Sequence, residues 1–193
     1  MFNKFFRTKH AAASGDALSM GDAATAQLAA KLLITPCAML QLTPEDARTV
    51  VRYMRLHRIA QGTTFIREGD TQNTGFMLLL IDGEVTVENI VVSRVEPITV
   101  TVLGQGSLIG EMGLLDGEPR AASCTASSHV RCASLSREAL ERLVQDAPAV
   151  AAKLMLAVSL RIAHRLRDNA DKLKMYVQLT QVMQQELSHH TAA

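Results

Sequence analysis

The stretch from Gly104 to Ser123, GQGSLIGEMGLLDGEPRAAS, concentrates the residue types best suited to holding an anion. Gly110 and Gly113 permit a tight turn whose successive backbone N–H groups face one point, a nest for negative charge. Glu111 sets a carboxylate at the mouth of that turn, where it can accept a hydrogen bond from a sugar hydroxyl. Pro119 fixes the backbone just before Arg120, and the small Ala121 and Ala122 leave room above the guanidinium. A guanidinium beside exposed amides suits two-pronged recognition of a phosphate. An Arg beside a Glu is equally the makings of a surface ion pair, and the residues alone leave both readings open. Two common nucleotide loops are excluded. No Gly-Lys-Ser/Thr follows, and the G-x-G-x-x-x-G spacing neither matches a dinucleotide fingerprint nor opens a long helix.

The chain around this segment divides by periodicity. Residues 27–59 read as helical, with a break at Thr35-Pro36 and a second helix start at Thr43-Pro44-Glu45-Asp46. There Thr43 serves as N-cap, Pro44 fits the first helical position and Asp46 lies at N3. The helix that follows buries Ala47, Val50, Val51, Met54 and Leu56. From Gln61 to Leu135, short apolar runs alternate with Gly-bearing turns, which predicts an antiparallel all-β unit. Val95, Ile98, Val100 and Val102 alternate as a half-solvated strand does. Ser136 caps a short helix ending at Asp146, and Ala147-Pro148 separates it from a much longer one. Along that helix Ile162, Leu166, Asn169, Leu173, Tyr176, Thr180, Met183 and Leu187 follow a four-three spacing, the seam of a coiled coil. The expected organisation is a flexible tail over 1–26, a domain with flanking helices over 27–148, and a dimerisation helix over 149–193.

Composition narrows the class. Hydrophobic residues make up 48% of the 193 and aromatics 4%, with no Trp, so the core must be aliphatic. Lys and Arg number 20 against 19 Asp and Glu, without the basic excess that DNA binding draws on. Cys37, Cys124 and Cys132 form no CxxC pair, which argues for reduced thiols in a cytoplasmic protein, not structural zinc or disulfides. No apolar run approaches the roughly 20 residues of a membrane span. At the amino end, Phe2, Phe5 and Phe6 beside Lys4, Arg7 and Lys9 suit either a frayed tail or a weak membrane-surface contact.

The segment from Ile109 to Ser123 resembles the phosphate-binding cassette of the cyclic-nucleotide-binding domain family. That family includes bacterial catabolite activator proteins, protein kinase A regulatory subunits and cyclic-nucleotide-gated channels. Its pattern, Phe-Gly-Glu-(Leu/Met)-(Ala/Gly)-Leu-Leu, then Pro-Arg-Ala-Ala-(Thr/Ser), is met except that Ile109 replaces the aromatic. Gly62 to Asp70, Phe76 to Val85, Thr43 to Glu45 and Leu135 to Glu138 resemble the flanking parts. The resemblance spans residues 35–175 or so. It implies an α+β fold, an antiparallel jelly-roll-like β-roll with N-terminal helices and a long C-terminal helix. It also implies roles. Arg120 pairs with the cyclic phosphate, helped by the Ala121 amide. Glu111 takes the ribose 2′-hydroxyl, with backbone help from Gly110, Met112 and Gly113. Ala121, which lacks a hydroxyl, favours cAMP, with cGMP or another cyclic nucleotide as the alternative. Asn169 corresponds either to a base contact or to a register-setting polar residue.

The 21 residues after Lys172 continue a helical pattern, so the helix-turn-helix domain of the bacterial activators is not expected here. The reading that follows is a cyclic-nucleotide-binding regulatory module, a homodimer through its long helix, acting on a separate protein without nucleic acid or metal. The alternative is a structural dimerisation module on the same fold that binds no ligand. No catalytic constellation of Ser/His/Asp, paired carboxylates or clustered His is present, so an enzyme is not expected.

Overall fold

A computed structural model describes residues 23–37, 40–89 and 98–191. Its elements are α1 (Ala23–Leu33), α2 (Pro44–Val51), β1 (Arg55–Ile59), β2 (Thr64–Ile66), β3 (Phe76–Asp82) and β4 (Val85–Asn89). They continue with β5 (Ile98–Leu103), β6 (Leu108–Ile109), α3 (Glu111–Asp116), β7 (Ser123–Ala126), β8 (Val130–Ser136), α4 (Arg137–Asp146) and α5 (Pro148–Thr191). The chain divides into two compact units, one ending at Ala157 and the other running from Val158 along the rest of α5. Val95 and the Phe-rich amino end lie outside the described residues.

The strands form two four-stranded sheets, ordered β1-β8-β3-β6 and β2-β7-β4-β5, with antiparallel pairing throughout. This is the antiparallel all-β unit expected from the turn spacing, in the β-roll form that the resemblance implies. Consecutive strands β7 and β8 fall in opposite sheets, so Cys124 and Cys132 are not ladder neighbours. Both are buried in the shared core with Ile59, Ile66, Leu78, Leu80 and Val130. Burial pushes the Cys132 thiol up to about 12, so it behaves as a small apolar side chain. The core is aliphatic as composition requires, with Phe76 as its buried aromatic among the described residues.

Strand β3 is buried on both faces. Phe76, Leu78 and Leu80 point into the core between the sheets, and α1 packs against β3. At the amino side of the sheets, Thr43 and Asp46 close a capping box: the Thr43 hydroxyl accepts from the Asp46 amide at 3.2 Å, and the Thr43 amide donates to Asp46 at 2.9 Å. The helix is shorter than its apolar stripe suggests. It ends at Val51, and Arg55–Ile59 is a strand, because these residues pair along their whole length with β8. Tertiary pairing overrides the helical pattern there. The remaining boundaries agree closely: Ser136 accepts from the Ala139 amide as the α4 cap, and α5 opens on Pro148.

Asp46 also ties α2 to the first turns of α5, accepting from Lys153 Nζ at 2.6 Å in a largely buried pair. The Lys153 hydrogen bond is the main reason the Asp46 carboxyl titrates below its ordinary value. A depressed carboxyl adds stability that is complete above its unfolded pKa of about 3.9 and is lost as the pH falls through the folded value. Asp46→Ala is expected to cost about 1–2 kcal/mol in urea unfolding at neutral pH, through the lost cap and ion pair. The gap between variant and wild type should narrow on acidification below about pH 4. A gap that stays constant in acid would remove the ion pair from the account.

Candidate functional site

Three segments converge on one side chain. The loop between β2 and β3 places Gly69 and Asp70 against the backbone of Arg120: the Gly69 amide donates to the Arg120 carbonyl at 2.8 Å, and the Arg120 amide to the Asp70 carbonyl at 3.0 Å. This two-way clasp aims the guanidinium inward. Asp70 shapes the loop in turn, since its carboxylate accepts from the Gln72 amide at 2.9 Å. The guanidinium then donates to three main-chain carbonyls. Nε and Nη2 reach Asn73 O at 3.1 and 2.6 Å, Nη2 reaches Phe76 O at 3.1 Å, and Nη1 reaches Gly110 O at 2.8 Å. The cation also stacks over the Phe76 ring, 4.4 Å from its centroid.

Arg120 is 5% exposed and Glu111 2% exposed, so the surface ion pair left open by the residue types is excluded. Glu111 is the first residue of α3 and, with Asp70 and Asp116, counterbalances the burial that lowers the Arg120 pKa. Arginine remains protonated under such a shift, and the pocket keeps a fixed cation within a low-dielectric setting. Among the described residues no cluster of three or more His, Cys, Asp or Glu is placed to hold a metal ion.

The two cassette glycines serve different ends. Gly110 takes a left-handed conformation (φ 78°), and a Cβ there would lie 2.6 Å from Arg120 Nη1 and 3.1 Å from Phe76 O. Gly113 was expected to shape the turn, but it lies within helical α3. Its contribution is space, because a Cβ would meet Arg120 Nη1 at 3.1 Å and Thr74 at 3.2 Å. Met112 projects outward at 48% exposure, and Ala121 is exposed beside Arg120. Thus Gly110, Glu111, Met112, Gly113, Arg120 and Ala121 come together in the first unit. Asn169 lies exposed on α5 in the second unit, and its assignment to a base rests on the resemblance alone.

Sequence reasoning missed Asn73, Thr74 and Arg137. The first contributes a carbonyl, which every residue type carries and no pattern can reveal. Arg137 was read only as the start of α4. Its Nη2 donates to Gly113 O at 3.0 Å, and its amide to Gly75 O at 2.8 Å, so the first residue of α4 is tied both to α3 and to the bend leading into β3.

This geometry agrees with what the chain is similar to. Residues 56–147 match the family model described as the cyclic nucleotide-binding domain. A crystal structure of a cyclic nucleotide-binding domain from Methylobacillus flagellatus superposes with a TM-score of 0.73 at 28% identity, covering 80% of this chain and 85% of that one. The cyclic AMP receptor protein of Thermus thermophilus is 31% identical over 127 residues, 66% of this chain and 56% of that protein. A cAMP-dependent protein kinase regulatory subunit from Colletotrichum orbiculare is 29% identical over 110 residues, 53% of this chain and 25% of that protein. The chain therefore spans between a quarter and little over half of these two relatives.

The cassette makes an unusual demand at Gly110, where backbone strain and crowding of Arg120 coincide. Gly117 also has positive φ (76°), but its nearest neighbour to a Cβ is Arg137 at an ordinary 3.6 Å. Gly117→Ala should cost about 1–2 kcal/mol from the left-handed backbone alone. Gly110→Ala should cost distinctly more in thermal or urea unfolding. Equal costs would mean that the guanidinium yields freely to a methyl group.

Proposed function

We propose that this chain is a cyclic-nucleotide-responsive regulatory module, with cAMP as the favoured ligand. The observation that carries the reading is a buried cation and a buried carboxylate, Arg120 and Glu111, at the two ends of one short cassette within the family match. Arg120 holds the cyclic phosphate with the Ala121 amide, and Glu111 accepts from the ribose 2′-hydroxyl beside Gly110, Met112 and Gly113. The regulatory subunit and the receptor protein named above are described as those of a cAMP-dependent kinase and as a cyclic AMP receptor, which favours the same ligand here. The module is cytoplasmic and non-catalytic, pairs as a homodimer along α5, and passes its output to a separate protein.

The hydrogen-bond count supports a conformational response. Arginine has five N–H donors, and carbonyls take four of them at Arg120. One donor is left, so two-pronged phosphate binding requires the release of at least one carbonyl. That exchange differs between the empty and occupied states, which is the condition for a ligand to shift an equilibrium. Relaxation of α3 is then passed through Gly113 O to Arg137 and α4.

The same count favours a second reading, in which Arg120 is purely structural and the module binds nothing. Calorimetric titration of the ligand-stripped protein with cAMP, cGMP and cyclic di-GMP separates the two. Wild type should bind cAMP, and Glu111→Gln and Arg120→Lys should each weaken binding by about 10- to 100-fold, the worth of a charge-assisted contact. Ala121→Thr should move preference toward cGMP. Negligible binding of all three nucleotides by wild type would establish the structural reading instead.

A further inference from the structure

Helix α4 carries two of its charges against its own dipole. Arg137 is its first residue and Asp146 its last, with no basic residue in the last turn. A helix favours the reverse, anions at its start and cations at its end. Glu138 follows that preference, whereas Arg137 and Asp146 serve contacts outside the helix. Arg137 Nη2 donates to Gly113 O of α3 at 3.0 Å, and the Tyr53 hydroxyl, just past α2, donates to Asp146 Oδ2 at 2.7 Å. At 1.5 Å per residue α4 is a strut of about 15 Å, fastened to the cassette at one end and to the end of α2 at the other.

Directly after Asp146 the chain leaves helical geometry at Ala147 (φ −146°, ψ 67°), and α5 opens on Pro148. Pro148 has no N–H to continue the α4 ladder, so the two helices meet at a break. Lys153, in the second turn of α5, reaches back to Asp46 of α2 at 2.6 Å. The elbow between α4 and α5 is thus held on both sides by α2 and the turn after it, within the first unit. The two ties differ in weight. The side chains of Lys153 and Asp46 are 25% and 15% exposed, against 58% and 73% for Arg48 and Glu45 on α2. An ion pair shielded from water keeps more of its attraction than an exposed one. The Tyr53–Asp146 contact is exposed and is the weaker tie.

We propose that these two ties form a latch by which α2 holds the elbow, and through α4 the cassette, in the arrangement where Arg120 is bonded to carbonyls. The inference rests on the reading of Arg120 and Glu111 as a cyclic-nucleotide site. Phosphate binding there requires the release of a carbonyl, and a shift of α3 moves Gly113 O, to which α4 is bonded. The strut must then follow or lose that bond, and it follows only as far as Tyr53 and Lys153 allow. The latch opposes binding, so by linkage its removal strengthens binding.

Calorimetric titration of the ligand-stripped full chain with cAMP, cGMP and cyclic di-GMP, beside thermal unfolding of the same samples, tests this. Lys153→Met removes the ion pair and leaves the Thr43–Asp46 capping box in place. It should bind cAMP about three- to tenfold more tightly than wild type, the worth of one shielded ion pair, while unfolding at a lower temperature. A purely structural tie would lower stability without tightening binding. Tyr53→Phe should tighten binding less, and Lys153→Arg should return the affinity to the wild-type value. Arg48→Ala, which removes the exposed pair on α2, should leave the affinity unchanged. Equal or weaker cAMP binding by Lys153→Met overturns the latch and leaves the nucleotide site standing. Negligible binding of all three nucleotides by wild type overturns both.

Discussion

Burying a guanidinium in a fold with an aliphatic core is costly unless its N–H groups find acceptors, and at Arg120 the acceptors are main-chain carbonyls. The choice of acceptor organises the site. Asn73 and Phe76 frame the start of β3, Gly110 closes the turn into α3, and the clasp with Gly69 and Asp70 holds the Arg120 backbone in register with both. One side chain thus fastens the stretch at Asn73, the first residue of β3 and the turn into α3 to one another, beyond the end of the β3–β6 ladder. Gly110 and Gly113 follow as consequences, since the guanidinium occupies the space that a Cβ at either position would need.

On the proposed reading, this arrangement would link phosphate binding to shape more directly than a preformed pocket. A guanidinium pointing into water could meet a phosphate at little structural cost and with little structural effect. A guanidinium already committed to carbonyls must exchange partners, and each carbonyl released is part of a loop or helix end. Gly113 is the pivotal acceptor, because its carbonyl is bonded to Arg137, while its Cα hydrogen faces Arg120. The cassette helix therefore lies between the cation and the first residue of α4.

The cassette was legible because its requirements fall on side-chain identity: a glycine where the backbone is left-handed, a proline before the cation, a carboxylate at the start of α3. The antiparallel all-β unit was legible because its turns carry glycine at regular intervals, and its form as a β-roll came with the resemblance. What escaped the sequence follows from the same logic. The partners of Arg120 at Asn73 and Phe76 are carbonyls, which have no residue signature. The strand Arg55–Ile59 continued the apolar rhythm of α2, with Met54 buried just before it, and only its pairing with β8 distinguishes it from a further helical turn. Gly113 was assigned a turn that it does not make, because a glycine needed for space and one needed for conformation look alike in sequence.

Helix α5 raises a different question, since its polar seam members would be costly in a dry interface. Thr180 answers it locally: its hydroxyl donates to the Tyr176 carbonyl at 2.8 Å, so the position enters a seam already satisfied. The charge distribution answers it along the length. Residues 161–174 include Arg161, Arg165, Arg167, Asp168, Asp171, Lys172 and Lys174, whereas 175–185 have no charge at all. The proximal turns can bury one stripe and must keep the rest in water. The distal turns have no such restraint and gain from contact on two sides. A helix serving only as a two-stranded coil would be expected to continue its charges outward, for solubility and for register. Their absence over three turns leaves Met175, Leu179 and Val182 as exposed apolar side chains outside the four-three seam.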